Sequence, residues 1–151
     1  MKMKTKNKIR EAVLTDRKTI TVRFSEVDAM MVVWHGEYIR YFEDGRESFG
    51  KHYDGLKYMD IFNSGFLAPM VELNCQYKQS LTFGEEAVIE TRYIRTAAAK
   101  IMFDYTIYRA SDNTVAATGS SVQVFVNAQT RELELNNPPF YADWQKRWIK
   151  D

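Results

Sequence analysis

In this chain of 151 residues, the side chains best placed to do chemistry fall between Val22 and Arg46, in the segment VRFSEVDAMMVVWHGEYIRYFEDGR. Asp28 stands between a β-rich run and a helical pattern, immediately before the apolar stretch Ala29–Trp34. That is a costly setting for a carboxylate. Two uses fit it: a turn residue that caps local backbone amides, or a carboxylate fixed near the mouth of a pocket. Seven residues later, His35-Gly36 precedes the helical pattern. Unpaired amides at a helix start can stabilise negative charge on a substrate oxygen. The His35 side chain itself reads equally well as a polar residue at a helix start or as a catalytic group. Glu43 is a possible second carboxylate, and Arg46, three residues on, can pair with it on the helix surface.

Other chemistries are excluded by inspection. The sequence has no G-x-S-x-G nucleophile elbow. It also lacks both phosphate-cradling loops, G-x-x-x-x-G-K-[ST] and G-x-G-x-x-G. His35 and His52 are not at metal-ligand spacing, and the single cysteine, Cys75, rules out a disulfide framework or a thiolate-rich zinc site. Cys75 lies on the apolar face of a strand pattern and reads as a small core residue. No metal or cofactor is expected.

Lys2, Lys4, Lys6, Lys8 and Arg10 form a basic leader; without them the chain has 16 basic against 20 acidic residues. The body therefore lacks the basic face expected of a nucleic-acid binder. Residues 1–18 are expected to be a frayed, solubilising tail ahead of one domain over residues 19–151. No apolar stretch of roughly 7–15 residues follows the leader charges, so a secretory signal is not expected. Ala29–Trp34 is far shorter than the roughly 20 residues of a membrane span. The expected location is the cytoplasm, with neither nucleic acid nor membrane as partner.

The elements that must position these residues follow from periodicity. Thr19–Phe24 reads as a short strand. Glu37–Phe49 reads as a helix whose Tyr38, Phe42, Gly45 and Phe49 share one stripe, with Gly50 as its stop. Asp54–Gly65 suggests a helical turn. Val71, Leu73, Cys75 and Tyr77 alternate with polar residues as one buried strand face. Glu86–Arg95, the alternation Ile101, Phe103, Tyr105, Ile107, and Val115–Asn127 supply further strands, with a hairpin turn at Asp112-Asn113. Phe140, Trp144 and Trp148 mark a docked helix after Pro138-Pro139. One long helix against an antiparallel sheet is an α+β domain.

With those elements in place, the early segment resembles the hotdog-fold acyl-CoA thioesterases of the 4-hydroxybenzoyl-CoA thioesterase and YbgC-like type. The shared features here are Arg23-Phe24, Asp28, Val32-Val33, Trp34-His35 at the same Asp-to-His spacing, and Tyr38, Phe42, Glu43 and Arg46 on the helix. The turn NAQTR at 127–131 and Pro138 also agree. The resemblance implies a curved antiparallel sheet wrapped around a central helix. It further implies a homodimer or a dimer-of-dimers tetramer with its active sites at the subunit interface. The implied reaction is hydrolysis of an acyl-CoA or acyl-carrier-protein thioester without metal or cofactor. Asp28 is then nucleophile or general base, and the amide of His35 or Gly36 binds the thioester oxygen. Substrate contacts fall to Met31, Trp34 and Tyr38, and the CoA phosphates to Arg95 and Lys100. Two other readings stay open, a non-catalytic acyl-binding homo-oligomer and an acyl-thioester hydratase or dehydratase. The family commonly has glycine where Met31 stands, and Met30 and Met31 are expected to line or narrow the acyl pocket. Glu37 replaces the usual asparagine, a change that suits a first helical turn.

Overall fold

The computed structural model describes residues 11–150. Five strands form one antiparallel sheet in the order β1-β4-β5-β6-β3. They are β1 (Ala12–Thr21), β3 (Met70–Tyr77), β4 (Glu86–Ile94), β5 (Lys100–Arg109) and β6 (Val115–Val124). A two-stranded ribbon pairs β2 (Phe66–Leu67) with β7 (Val126–Asn127). The helices are α1 (Glu37–His52), α2 (Tyr58–Asn63) and α3 (Pro139–Trp148). This is the expected α+β architecture, one long helix against an antiparallel sheet. None of the described helices is long and apolar enough to cross a membrane.

The stripe Tyr38, Phe42, Gly45 and Phe49 is wholly buried, as its spacing predicts. Phe42 stacks on Tyr105 at 4.4 Å between centroids, and Phe49 meets Phe103 edge-on at 5.0 Å. The inward rows of the sheet are Ala87, Ile89, Thr91 and Tyr93 on β4, and Ile101, Phe103, Tyr105 and Ile107 on β5. At the far end Tyr141 and Trp144 of α3 close the core, and the Trp144 indole donates to the Tyr53 carbonyl at 2.8 Å. The helix expected after the Pro pair is therefore present and docked.

Several boundaries differ from expectation. The first strand begins at Ala12 and pairs along its length with β4, so residues 12–18 belong to the domain rather than to a frayed leader. Alternate polar residues made this edge strand look like tail. The leader residues 1–10 lie outside the described residues. Phe24 belongs to a 3-10 turn, Phe24–Glu26, and not to the strand. Helix α1 continues through Gly50 to His52, whose Nδ1 lies 2.9 Å from Asp16 Oδ1 on β1. The last long strand breaks at Phe125, which turns fully inward. The expected buried face of β3 is mostly open: Val71 is 56%, Leu73 40% and Tyr77 52% exposed. β3 is a sheet edge, and no strand among the described residues pairs with its outer side.

Gly119 on β6 carries a packing role. A Cβ there would lie 2.5 Å from both the Asn74 carbonyl oxygen and the Phe42 ring. The glycine lets the helix stripe seat against the sheet. Gly119→Ala should destabilise the fold by about 1–3 kcal/mol through overpacking. The expected signature is a lower urea midpoint at unchanged m-value; an unshifted midpoint would show that the seat yields freely.

Candidate active site

Residues 26–34 form a small hairpin ahead of α1. Val27 bridges Val33, the Trp34 amide donates to the Glu26 carbonyl at 2.9 Å, and the Asp28 amide donates to the Val32 carbonyl at 2.9 Å. Asp28 is half-buried at the turn. Its Oδ1 accepts the Met30 amide at 2.8 Å; among the described residues its Oδ2 accepts nothing. The turn-capping reading is met by this contact. One oxygen caps the turn, and the other is open. Met31 closes the turn with φ of 65°, the left-handed region that glycine occupies without cost. The departure from the family pattern leaves the loop path intact and loads it onto a Met whose side chain is exposed, as is that of Met30.

At the other end of the hairpin, Trp34, His35 and Gly36 lead into α1. The Trp34 ring lies over Gly36 so closely that a Cβ at 36 would collide with it. This explains the glycine, whose φ of −71° is otherwise ordinary. Among the described residues, neither the His35 nor the Gly36 amide donates to another group. Both sit at the positive end of a 16-residue helix. The His35 ring is exposed and rests against Trp34 with centroids 5.0 Å apart. No hydrogen bond joins its side chain to Asp28, so the residue enters the geometry through its backbone.

Other expected site residues are distributed differently. Tyr38, expected to be at the substrate, is instead buried in the core, edge-on to Tyr41 and Tyr77, because it belongs to the stripe that packs α1. Glu43 is exposed, and no ion pair joins it to Arg46 among the described residues. Arg46 turns inward instead and donates to the Tyr105 hydroxyl at 3.0 Å, which also bonds Ser121. Glu43 and Arg46 border a cavity of about 800 Å³ between the C-terminal half of α1, α2 and β2. Its floor includes Phe49, Ile61, Phe66, Ile101 and Phe103, and Lys51 and Arg131 add cations. Asp28, His35, Arg95 and Lys100 are not among its lining residues. Arg95 follows β4 and is exposed, while Lys100 opens β5 and is half-buried.

Two residues that sequence reasoning did not single out hold the hairpin in place. Glu26 is 8% exposed; its carboxylate accepts the Arg23 amide at 2.9 Å, the Arg23 guanidinium at 3.1 Å and the Tyr41 hydroxyl at 3.0 Å. Tyr77 reaches across from β3, and its hydroxyl donates to the His35 carbonyl at 2.8 Å. The only sequence hint for Glu26 was a charge caught between Phe24 and an apolar run. Tyr77 gave no hint, because its partner is 42 residues away.

The sequence profile of the thioesterase-like superfamily matches residues 22–149. The chain belongs to the thioesterase-like superfamily. YneP of Bacillus subtilis, provisionally named an acyl-CoA thioesterase, is 36% identical over 109 residues, spanning 72% of this chain and 78% of YneP. The DHNA-CoA thioesterase of Staphylococcus aureus is similar in structure, with TM-score 0.77 and 25% identity over 87% of each chain. A 4-hydroxybenzoyl-CoA thioesterase variant bound to 4-hydroxybenzoyl-CoA has the same fold, with TM-score 0.76 at 14% identity, covering 89% of this chain and 98% of that one. The hotdog fold and the thioester-hydrolase class expected from the early segment are borne out.

The superfamily chain also buries a second carboxylate beside the helix start. Glu37 is 6% exposed, with Arg40 3.6 Å away. Burial first, then the Glu26 charge, raises the Glu37 carboxyl above its ordinary value, and Arg40 offsets this only in part. A folded pKa above the unfolded one means the native state binds the proton more tightly. Stability from this group is therefore full below the unfolded value of about 4.3 and lost as pH rises through the folded pKa. Glu37→Gln should accordingly stabilise the protein at pH 7 and be neutral near pH 4, as read from urea midpoints at both values. A variant weaker at pH 7 would mean that the Arg40 contact outweighs the desolvation.

Proposed function

We propose that this chain hydrolyses the thioester of an acyl-CoA to free acid and thiol, with Asp28 as the reacting carboxylate. The His35 and Gly36 amides then receive the thioester oxygen. The observation that carries the reading is the hairpin 26–34, with an open carboxylate oxygen at its turn and two unengaged amides where it enters α1. Asp28 pairs with Val32, three residues before His35, a separation of roughly 10 Å along extended chain. As attack proceeds, negative charge leaves the nucleophile and gathers on the carbonyl oxygen, where the helix start meets it.

Two routes use these groups. In the first, the Asp28 carboxylate bonds to the carbonyl carbon, the C–S bond breaks with departure of the thiolate, and water then cleaves the resulting anhydride. In the second, water adds to the carbon as Asp28 takes its proton, and the thiolate leaves and is protonated. Neither route calls on a cofactor. The names of the relatives support CoA as carrier of the acyl group.

The acyl group itself suits the 800 Å³ cavity, whose apolar floor matches a hydrocarbon or aromatic acid. From Gly36 to Glu43, the first α1 residue on its wall, the helix advances about 10 Å, and Asp28 is not among the residues that line this cavity. We therefore infer a homodimer, or a dimer of dimers, in which the Asp28 turn of one copy faces the cavity of the other. The unpaired β3 edge, with Val71, Leu73 and Tyr77 exposed, supports edge-to-edge pairing. Lys100 precedes Ile101 of the cavity wall, and with Arg95 it lends the β4–β5 hairpin positive charge suited to the CoA phosphates.

Release of free thiol from a panel of acyl-CoAs tests the activity directly. Asp28→Asn keeps the shape and removes the charge, so kcat should fall by about 10²–10⁴-fold. Glu43→Gln should cost less than Asp28→Asn; the reverse order would move the reacting carboxylate onto the helix. Sedimentation velocity at micromolar concentration should give twice or four times the 17.7 kDa of one chain. A single species of one-chain mass would remove the shared site.

A further inference from the structure

We propose that Tyr77 is a positioning residue for thioester hydrolysis, aiming the Gly36 amide by holding the His35 carbonyl; the inference rests on the oxyanion reading given above. Two peptide planes face the helix start. In the first, the Trp34 carbonyl accepts the Glu37 amide at 2.9 Å. The peptide bonds are trans, so this contact turns the His35 N–H the opposite way, outward from the helix start. That restraint is local and forms with the first turn of α1. In the second plane, the His35 carbonyl accepts the Tyr77 hydroxyl at 2.8 Å, and the same rule turns the Gly36 N–H away from β3. This restraint comes from a strand 42 residues distant.

Tyr77 is built to keep that bond. Its ring meets the buried Tyr38 ring edge-on at 5.2 Å, which fixes the direction of the phenol. Tyr38 belongs to α1, so the phenol packs on the same helix whose start it bonds. Strand pairing sets its height, with Tyr77 opposite Ala117 of β6. A phenol, with an ordinary pKa of about 10, is a neutral O–H donor at working pH. The amide it aims makes no other bond among the described residues. A donor of that kind acts in proportion to its alignment with the developing charge.

Tyr77→Phe removes one oxygen and keeps the ring. Removal of a whole oxyanion donor typically costs about 10²–10³-fold in kcat. Loss of its restraint should cost less, about tenfold, with KM for the same acyl-CoA unchanged. Wild type, Tyr77→Phe and Asp28→Asn are compared on one acyl-CoA by thiol release, with a melting curve for each. A fall in kcat at constant KM and nearly constant melting temperature supports the assignment. Wild-type kcat in Tyr77→Phe, beside an impaired Asp28→Asn, overturns it and leaves the site reading standing. A Tyr77→Phe protein that melts early, fails to fold or loses KM and kcat together also overturns it, since the bond would then be structural only. An unimpaired Asp28→Asn instead overturns the assignment of Asp28 itself, whatever Tyr77→Phe does.

Discussion

The seating of Phe42 governs the geometry of the domain. Its ring lies nearly parallel to Tyr105 at 4.4 Å, and only a glycine at 119 leaves room for it against β6. Tyr38, Phe42 and Phe49 share one stripe, so seating one ring sets both the rotation and the height of α1 on the sheet. Rotation turns Glu43 and Glu47 toward the cavity; height decides where the first-turn amides emerge. The Arg46 contact with the Tyr105 hydroxyl ties the same two elements together from the polar side. A surface pair between Glu43 and Arg46 would have contributed little in water. Inside, the guanidinium supplies a donor to a phenol oxygen that burial has removed from solvent.

Once the helix start is fixed, its electrostatics dictate what can surround it. Glu26 is nearly buried there but has three donors, so its charge is compensated by hydrogen bonds. Glu37 pairs with Arg40 at 3.6 Å, and burial and the Glu26 charge still leave its pKa raised. The difference matters to Asp28. The hairpin that carries it is anchored by Glu26, through Trp34 by backbone and through Tyr41 by side chain. Asp28 sits half-buried at the turn, with one oxygen capping Met30 and the other without a partner among the described residues. One carboxylate therefore holds the hairpin, while the other keeps an oxygen without a partner among the described residues.

How much of this was legible in the sequence depends on the range of the interactions involved. Patterns set by local periodicity were readable: the α1 stripe, the alternation from Ile101 to Ile107, the turn at Asn113 with its φ of 59°, and the docked C-terminal helix. The placement of Asp28 and His35-Gly36 around α1 followed from spacing and from family resemblance. What escaped was set by partners distant in sequence. β1 was missed over residues 12–18 because its polar side chains alternate along an edge, and only its pairing with β4 makes it a strand. Arg46 was assigned to its helical neighbour Glu43, whereas its acceptor is 59 residues away. Tyr38 was expected at the substrate, yet the stripe that identified the helix is the reason it is buried. Glu26 combines two local bonds from Arg23 with one from Tyr41, 15 residues away, and Tyr77 acts through a partner 42 residues away that no local pattern announces.

Strand β3 carries two demands that meet in one residue. Along its outer edge it presents unpaired backbone and the exposed side chains of Val71 and Leu73, a surface suited to another strand. At its end, Tyr77 reaches inward to the turn before α1. The register with β6 fixes both, since a one-residue slip would turn every β3 side chain to the opposite face and withdraw the phenol from His35. Pairing of two β3 edges would oppose such a slip, because each strand would then be held on both sides by a ladder of hydrogen bonds. In that arrangement assembly and chemistry share one mechanical element. The dimer would bring the Asp28 turn to the cavity, and by clamping β3 it would also hold the donor that aims the Gly36 amide.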